Sequence, residues 1–132
     1  MPASNLLAMP LVAMEIFTGT NEDWVDSIKW LVDTGSGDMD TFPQLDLRGI
    51  EFEMEVRRST PDHEVVISAS TKTGGLAIGE PPDVGYLLIN IDVAEMMLQQ
   101  PGDYVADIVG RDPDSARRVA DITLEIVLGV TR

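Results

Sequence analysis

Apolar and charged residues alternate without interruption over residues 50–58 (IEFEMEVRR). A period of two places Ile50, Phe52, Met54 and Val56 on one side of the chain and the glutamates on the other. At helical spacing the same glutamates would be distributed around the cylinder. The pattern therefore predicts a β-strand with one face in a core and the other in water.

A second alternation runs over residues 118–128 and puts one apolar set on a shared face: Ala120, Ile122, Leu124, Ile126 and Leu128. Residues 59–63 form a turn sequence that predicts a hairpin between 50–58 and 64–70. Further short strands with turn residues around them are predicted at 12–17, 27–32, 76–78, 86–91 and 104–110. Many short strands with this spacing indicate antiparallel sheets packed face to face.

One helix is predicted, at about residues 92–100. Asp92 is a suitable N-cap, Glu95 follows three residues later, and Pro101 with Gly102 ends the segment. We expect its apolar residues, Met96, Met97 and Leu98, to close the open end of a sandwich. The predicted fold is all-β, an Ig-like antiparallel β-sandwich with this one short helix.

Composition narrows the possible functions. The 132 residues suit a single domain, 1–132, with 1–11 expected to be a flexible or partner-bound segment. Acidic residues number 23 against 9 basic ones, which gives a net charge of −14. Because a negative field repels phosphate backbones and anionic lipid surfaces, we expect neither nucleic-acid nor membrane partners. Without cysteine, and with His63 as the one histidine, the usual zinc sites are excluded. No export signal or membrane span is evident, so we expect synthesis into the cytoplasm.

Residues 33–36 (Asp-Thr-Gly-Ser) match the signature that carries the catalytic aspartate of aspartic proteases. That chemistry needs two aspartates sharing one proton, so this chain would have to act as a homodimer of the retroviral type. Residues 108–112 resemble a second element of those enzymes. The same letters also form an ordinary turn, in which glycine adopts positive φ and Asp33 caps its own loop. The turn is our first interpretation, and a protease using Asp33-Thr34-Gly35 is the alternative.

Other chemistry has less support. Asp33, Asp38 and Asp40 could gather around calcium, although their spacing does not follow a helix-loop-helix calcium site and an acidic surface loop is the default. His63 lies in a turn sequence, and no serine-nucleophile motif is present. Residues 74–79 lack the spacing of a dinucleotide loop and the lysine of a phosphate loop. We therefore predict no catalytic residue and no cofactor.

Several segments together carry a family resemblance: Leu45-Asp46-Leu47-Arg48-Gly49 before the strand that closes with Val56-Arg57, residues 89–98, residues 101–107 (PGDYVAD) and residues 129–132. In these segments, from Asp46 onward, the chain resembles small β-sandwich proteins encoded among phage and prophage tail genes. They are similar to the N-terminal domain of baseplate upper proteins. The family's usual Asp-Leu-Thr-Gly is Asp-Leu-Arg-Gly here.

This resemblance implies a non-enzymatic virion structural or accessory protein of a tail or baseplate, in a virion or phage-like particle. Its partners would be other phage structural proteins and further copies of itself. Sandwiches have edge strands that need cover, which a neighbouring subunit can provide. Trp24 and Trp30 are the candidate partner contacts, because aromatic residues anchor interfaces. A sandwich that binds a sugar or another small ligand on an exposed face is a third possibility.

Overall fold

A computed structural model describes residues 4–59 and 64–129. In these ranges the chain forms eight strands and one short α-helix, with single 3-10 turns at Leu6–Ala8 and Met39–Thr41. The elements are β1 (Val12–Gly19), β2 (Trp24–Lys29), β3 (Glu51–Arg58), β4 (Val65–Ser70), β5 (Leu76–Ile78), β6 (Tyr86–Ile91), α1 (Val93–Met96), β7 (Gly102–Arg111) and β8 (Ala116–Val127).

The strands form a five-stranded sheet in the order β1-β8-β7-β3-β4 and a three-stranded sheet in the order β2-β6-β5. All neighbours are antiparallel except β1 and β8, which run parallel. This division matches the immunoglobulin arrangement, in which the strands equivalent to β8, β7 and β3 share one sheet and those equivalent to β2, β6 and β5 share the other. The fold is an all-β, Ig-like sandwich, as the sequence predicts.

The core lies between the two sheets and follows the alternation seen in the sequence. On β3, Phe52, Met54 and Val56 are buried, while the glutamates between them are exposed. The pairing of β3 with β4 confirms the predicted hairpin partners, although residues 60–63, His63 included, lie outside the described residues. One face of an antiparallel strand pair is thus dry and the other wet.

Strand β8 departs from strict alternation at one point. Ala120, Ile122, Leu124 and Ile126 are buried as predicted, whereas Leu128 is exposed because the strand ends at Val127. Val119 is buried as well. The pairing with β7 shifts between Ile108 and Val109, so that Val119 has no partner across the ladder. Such a bulge turns two successive side chains toward the core, which a period of two cannot anticipate.

Tyr104 closes the connection between β6 and β7. Its ring is buried, and its hydroxyl donates a hydrogen bond to the Gln100 carbonyl oxygen at 2.5 Å. This is the tyrosine corner of immunoglobulin-like domains, in which a tyrosine near the start of the strand bonds backbone a few residues upstream. Ala106 occupies the position where antibody domains carry their second cysteine. The hydrogen bond from Tyr104 to Gln100 therefore accounts for the path of the backbone through residues 101–107.

The helix is shorter than predicted. Asp92 is its N-cap, with Oδ1 accepting from the Ala94 N–H, but α1 spans four residues and not the range 92–100. The chain must reach the start of β7 at Gly102, and the tyrosine corner fixes the backbone at Gln100. Only Met96 of the apolar cluster is buried. A single turn therefore closes this end of the sandwich.

Residues 4–9 pack against the sandwich, where the sequence analysis expects the segment 1–11 to be flexible or bound by a partner. Leu6 and Met9 are fully buried, and the Asn5 amide donates to the Asp46 carbonyl at 2.9 Å. Arg117 donates to the Leu7 carbonyl at 2.8 Å. Two apolar anchors thus hold residues 4–9 against the sandwich, where the sequence offered no periodicity to predict them.

The second strand begins at Trp24, earlier than the predicted range 27–32, and ends at Lys29. Beyond it the backbone changes partners: the Trp30 N–H donates to the Gly85 carbonyl, and the Val32 N–H donates to the Pro43 carbonyl. The apolar residues that suggested strand continuation therefore belong to a loop that folds back on itself.

Candidate functional site

Asp33 lies in an exposed loop and caps its own turn. Its Oδ1 accepts a hydrogen bond from the Gly35 N–H at 2.8 Å, and Gly35 has a φ of 79°. This is the turn interpretation of the Asp-Thr-Gly-Ser segment. Residues 108–112 lie at the end of β7 and the start of the following turn, and the next element is the strand β8.

Asp38 and Asp40 serve the next turn along the same loop. The Oδ1 of Asp38 accepts from the Asp40 N–H at 3.0 Å, and the Asp38 carbonyl accepts from the Thr41 hydroxyl at 2.7 Å. Among residues 4–59 and 64–129, no three or more acidic, histidine or cysteine side chains are arranged to hold a metal ion. The carboxylates of Asp33 and Asp38 therefore cap their own turns, and within the described residues Asp33, Asp38 and Asp40 do not form a group that could hold a metal ion.

Trp24 and Trp30, the predicted partner contacts, are both core residues, with exposed fractions of 1% and 2%. The Trp24 indole N–H donates to Asp26 Oδ2 at 2.8 Å, and the Trp30 indole N–H donates to the Pro10 carbonyl at 3.1 Å. Buried tryptophans generally find such partners for the ring N–H. Neither ring is available at the surface, and any partner must be bound by other residues.

Four exposed apolar side chains lie at one end of the sandwich. At this end β6 runs into α1, β7 begins, and β8 finishes beside Gly19 of β1. The apolar residues there, which we call the α1-end surface, are Met97, Leu98, Val127 and Leu128. Leu98 and Leu128 have exposed fractions of 76% and 72%. The sequence predicted the helix cluster to be a plug, but only its first member fills that role.

Backbone hydrogen bonds hold the α1-end surface in place. The Thr20 N–H donates to the Val127 carbonyl at 3.1 Å, and the Gly129 N–H donates to the Thr20 hydroxyl oxygen at 3.0 Å. On the other side, the Asp23 carboxylate accepts from the Val93 N–H at 2.7 Å. The chain after β8 and the start of α1 are therefore both tied to the turn at 20–23, so the exposed apolar groups sit on a fixed backbone.

Strand β1 carries a further exposed aromatic residue that sequence reasoning missed. Phe17 has an exposed fraction of 69%, on the solvent face opposite the buried Ile16. Within a strand, adjacent side chains point to opposite faces. The adjacent pair Ile16-Phe17 was therefore the available signal, because one member had to face outward.

The outer face of the five-stranded sheet is acidic. Glu55, Asp107 and Asp121 lie side by side across β3, β7 and β8. Arg57 pairs with Glu55 at 2.9 Å, and Arg118 pairs with Asp121 at 3.4 Å. Like charges on adjacent strands repel, and the two arginines offset this repulsion at either end of the row.

The outer face of the three-stranded sheet has a shallow open concavity of about 790 Å³. Its lining combines apolar residues and glycines with polar side chains: Val25, Leu76, Ala77, Leu88, Ile89, Gly74, Gly75, Asp26, Ser27 and Asn90. This is the exposed face on which the small-ligand possibility would have to rest. None of these lining residues is aromatic, whereas sugar-binding faces rely on aromatic stacking.

Hydrogen-bond partners lower the pKa values of two carboxyl groups in the loops, Asp112 and Asp46. The Ser4 hydroxyl, at 2.6 Å, lowers the pKa of Asp112 most, with further help from the backbone N–H of Asp114 and from Ser115. The Arg48 guanidinium lowers the pKa of Asp46 and lies at 2.7 Å from its Oδ2. Arg48 thus gives the Asp-Leu-Arg-Gly segment an ion pair that threonine could not provide.

Within the described residues, no helix is long and apolar enough to span a membrane.

Comparisons with known proteins identify solved structures of low similarity. No protein-family model and no curated protein sequence matches the chain. CopC from Methylosinus trichosporium OB3b is similar with a TM-score of 0.40 and 11% identity, over 80% of this chain and 99% of that one. Murine CRIg gives 0.37 and 14%, over 88% and 92%. A family 123 glycoside hydrolase from Clostridium perfringens gives 0.31 and 13%, over 93% of this chain and 24% of that one. Likeness at this level carries no argument about function, and the fold assignment rests on the strand order and the tyrosine corner.

Proposed function

We propose that this protein is a non-enzymatic structural or accessory subunit of a phage or prophage tail or baseplate, and that it acts through contacts with neighbouring subunits. Two features support the proposal. One is the sequence resemblance from Asp46 onward to tail-associated β-sandwich proteins. The other, which carries it, is the α1-end surface with its exposed methionine, leucine and valine side chains.

The energetics favour a partner at this surface. Fully burying one leucine or methionine side chain stabilises by roughly 1.5–3 kcal/mol. The chain is rich in charged residues, with a net charge of −14, and yet it exposes Leu98 and Leu128 at this end of the sandwich. Glu22 is also exposed in the turn at this end, where it would lie at the rim. An apolar centre with a polar rim is the usual anatomy of a subunit interface.

The proposal is tested by asking whether the protein enters particles. Phage or phage-like particles are purified from a host strain that produces the tagged chain, and their proteins are identified by mass spectrometry. We expect the wild-type protein in the particles. We expect the double variant Leu98→Asp, Leu128→Asp to be absent from them, because two carboxylates cannot be buried in an apolar contact.

Met39→Asp is the matched control. Met39 has an exposed fraction of 68% and lies in the loop that follows the far end of β2, away from the α1-end surface. Its substitution adds one carboxylate at similar exposure, where the double variant adds two, and should leave particle incorporation unchanged. Particles without the wild-type protein, or equal incorporation of the double variant and the wild type, would overturn the proposal.

A further inference from the structure

We propose that the free edge of β1 pairs with β1 of a second copy of this chain, giving a twofold-symmetric dimer with an antiparallel β1–β1 ladder. This deepens the proposed function, on which it rests for its biological role, by naming one partner and the surface that binds it. The two five-stranded sheets would then join into one continuous sheet. A twofold interface of this kind uses the same patch on both copies.

The geometry of β1 suits this pairing. It is the outermost strand of its sheet, and its eight residues pair with β8 without any register shift. Its other side presents backbone N–H and C=O groups that are a template for another strand, and at the end of this edge the Gly19 N–H already donates to Glu22 Oε1 at 3.0 Å. Glu15 is its one charged residue, and it contains no proline. Charged residues, proline and bulges are the usual means of protecting an edge, and β1 has little such protection.

The other described edges are less suited. β5 has three residues. β2 carries Asp26 and Lys29 among its six. β4 itself contains an irregularity, because Val66 has no partner in its pairing with β3, and its last residue, Ser70, is bridged to Gly75 as the chain turns toward the other sheet. Of the edges in the described part of the chain, β1 is therefore the longest regular one.

Phe17 supports a second copy as the occupant. Its ring is exposed on the solvent face of the sheet, where it is opposite Glu125 of β8. In an antiparallel ladder, directly opposed residues lie on the same face. A ladder centred on Glu15 would oppose two like charges, so the symmetry axis must lie elsewhere along β1. Centred on Phe17, the ladder stacks the two rings, and centred on Ile16, it covers each ring with the glutamate stem of the partner.

Charge gives the dimer a distinctive dependence on salt. Two chains of net charge −14 repel each other, whereas the paired strands themselves carry one charged residue each, Glu15. Added salt screens the repulsion, so association should strengthen as ionic strength rises. A single strand pair buries less than the roughly 1,200 Å² of a standard interface, so we expect a Kd on the order of micromolar or weaker.

The test is sedimentation equilibrium of the full chain from about 1 µM to about 1 mM, which brackets a weak dimer, at low and high salt. Phe17→Asp and Ala13→Asp each place a carboxylate on the exposed side of β1, and Met39→Asp is the matched control. We expect a wild-type dimer that tightens with salt and a Kd raised at least about tenfold in Phe17→Asp, whose carboxylate would be opposite its own copy or Glu15; Ala13→Asp, further from the centre of the ladder, should raise the Kd by less. Met39→Asp should behave as wild type.

A wild-type protein that stays monomeric over this range would overturn the inference, as would a dimer that weakens with salt or survives both β1 substitutions. Hydrogen exchange adds a backbone readout: β1 amides should exchange more slowly at dimer-forming concentrations, and β4 amides should not change. Failure here is distinguishable from failure of the proposed function. A monomer that still enters particles removes only the β1 dimer, and a dimer that never enters particles removes only the tail role.

Discussion

Leu6 occupies the space that a side chain at residue 110 would need. Its Cδ1 lies 2.8 Å from the position that a Cβ on Gly110 would take, with Ile50 and Phe52 close behind. Because Gly110 has no side chain, it leaves space in β7 for Leu6 of the N-terminal segment. This contact joins residues more than a hundred positions apart and turns the start of the chain into part of the core.

The first prediction concerns this contact. Gly110→Ala should destabilise by about 1–3 kcal/mol, because the added methyl group overpacks the site. Leu6→Ala should cost about 2–5 kcal/mol through the cavity that it leaves. The double variant should cost less than the sum, because the shortened residue 6 makes room for the new methyl group. Urea unfolding of the four proteins measures the coupling, and strict additivity would contradict the packing described here.

The second prediction concerns the tyrosine corner. Tyr104→Phe removes the hydrogen bond to the Gln100 carbonyl and should cost about 0.5–1.5 kcal/mol, seen as a lower Tm. Tyr86→Phe is the matched control. The Tyr86 ring lies near Lys29, at 5.5 Å, and its hydroxyl has no hydrogen-bond partner among the described residues. If both variants lose equal stability, the corner is not the cause.

The third prediction concerns pH. The pKa of Asp112 is lowered in the folded protein from 3.8, first by the Ser4 hydroxyl and then by the backbone and side chain of the following turn. A carboxyl with a lowered folded pKa stabilises fully above its unfolded pKa, and this contribution is lost as pH falls through the folded pKa.

Carboxyl titration by NMR should therefore place the midpoint of Asp112 below 3.8 in the wild type and closer to it in Ser4→Ala. Asp112→Asn should flatten the acid limb of the stability curve below about pH 4, where this group titrates. A midpoint for Asp112 that does not move in Ser4→Ala would show that the hydroxyl contact is not formed.

The fourth prediction concerns Asp33. Asn at this position keeps an oxygen that can accept from the Gly35 N–H, so Asp33→Asn should leave stability unchanged, while Asp33→Ala should cost about 0.5–1.5 kcal/mol. Wild-type protein incubated with an unstructured polypeptide at mildly acidic pH should not cleave it. Cleavage that disappears in Asp33→Asn would instead establish the aspartic protease alternative.

Local patterns predicted most of the strands correctly. A strand with one buried face and one solvent-exposed face alternates apolar and polar residues. This alternation can be seen in the sequence itself at 50–58 and 118–126. The cap at Asp92 and the turn at Asp33 are equally local, since each is made by a side chain bonding backbone two residues away. Such features need no knowledge of the rest of the chain.

The functional candidates were predicted less well. Trp24 was expected at the surface as a partner contact, yet the β1–β2 turn brings it inward, opposite Ile91. Leu98 was expected to be buried because its neighbours are apolar, yet the tyrosine corner ends the helix before it. For Trp24 the deciding contact is with β6, which is distant in sequence, whereas for Leu98 it is the nearby hydrogen bond of Tyr104 to Gln100, which no alternation of apolar residues indicates.

The sequence by itself determined the class of fold and the position of most strands, because the period, the caps and the turn residues depend on neighbouring positions. Only the tertiary structure decided which edges stay open, which tryptophans are covered and which apolar residues remain at the α1 end. Burial is a property of two surfaces that meet, and the residues of one segment do not specify what will cover them. The packing of Leu6 against Gly110 and the unpaired edge of β1 are two results of how the segments pack together.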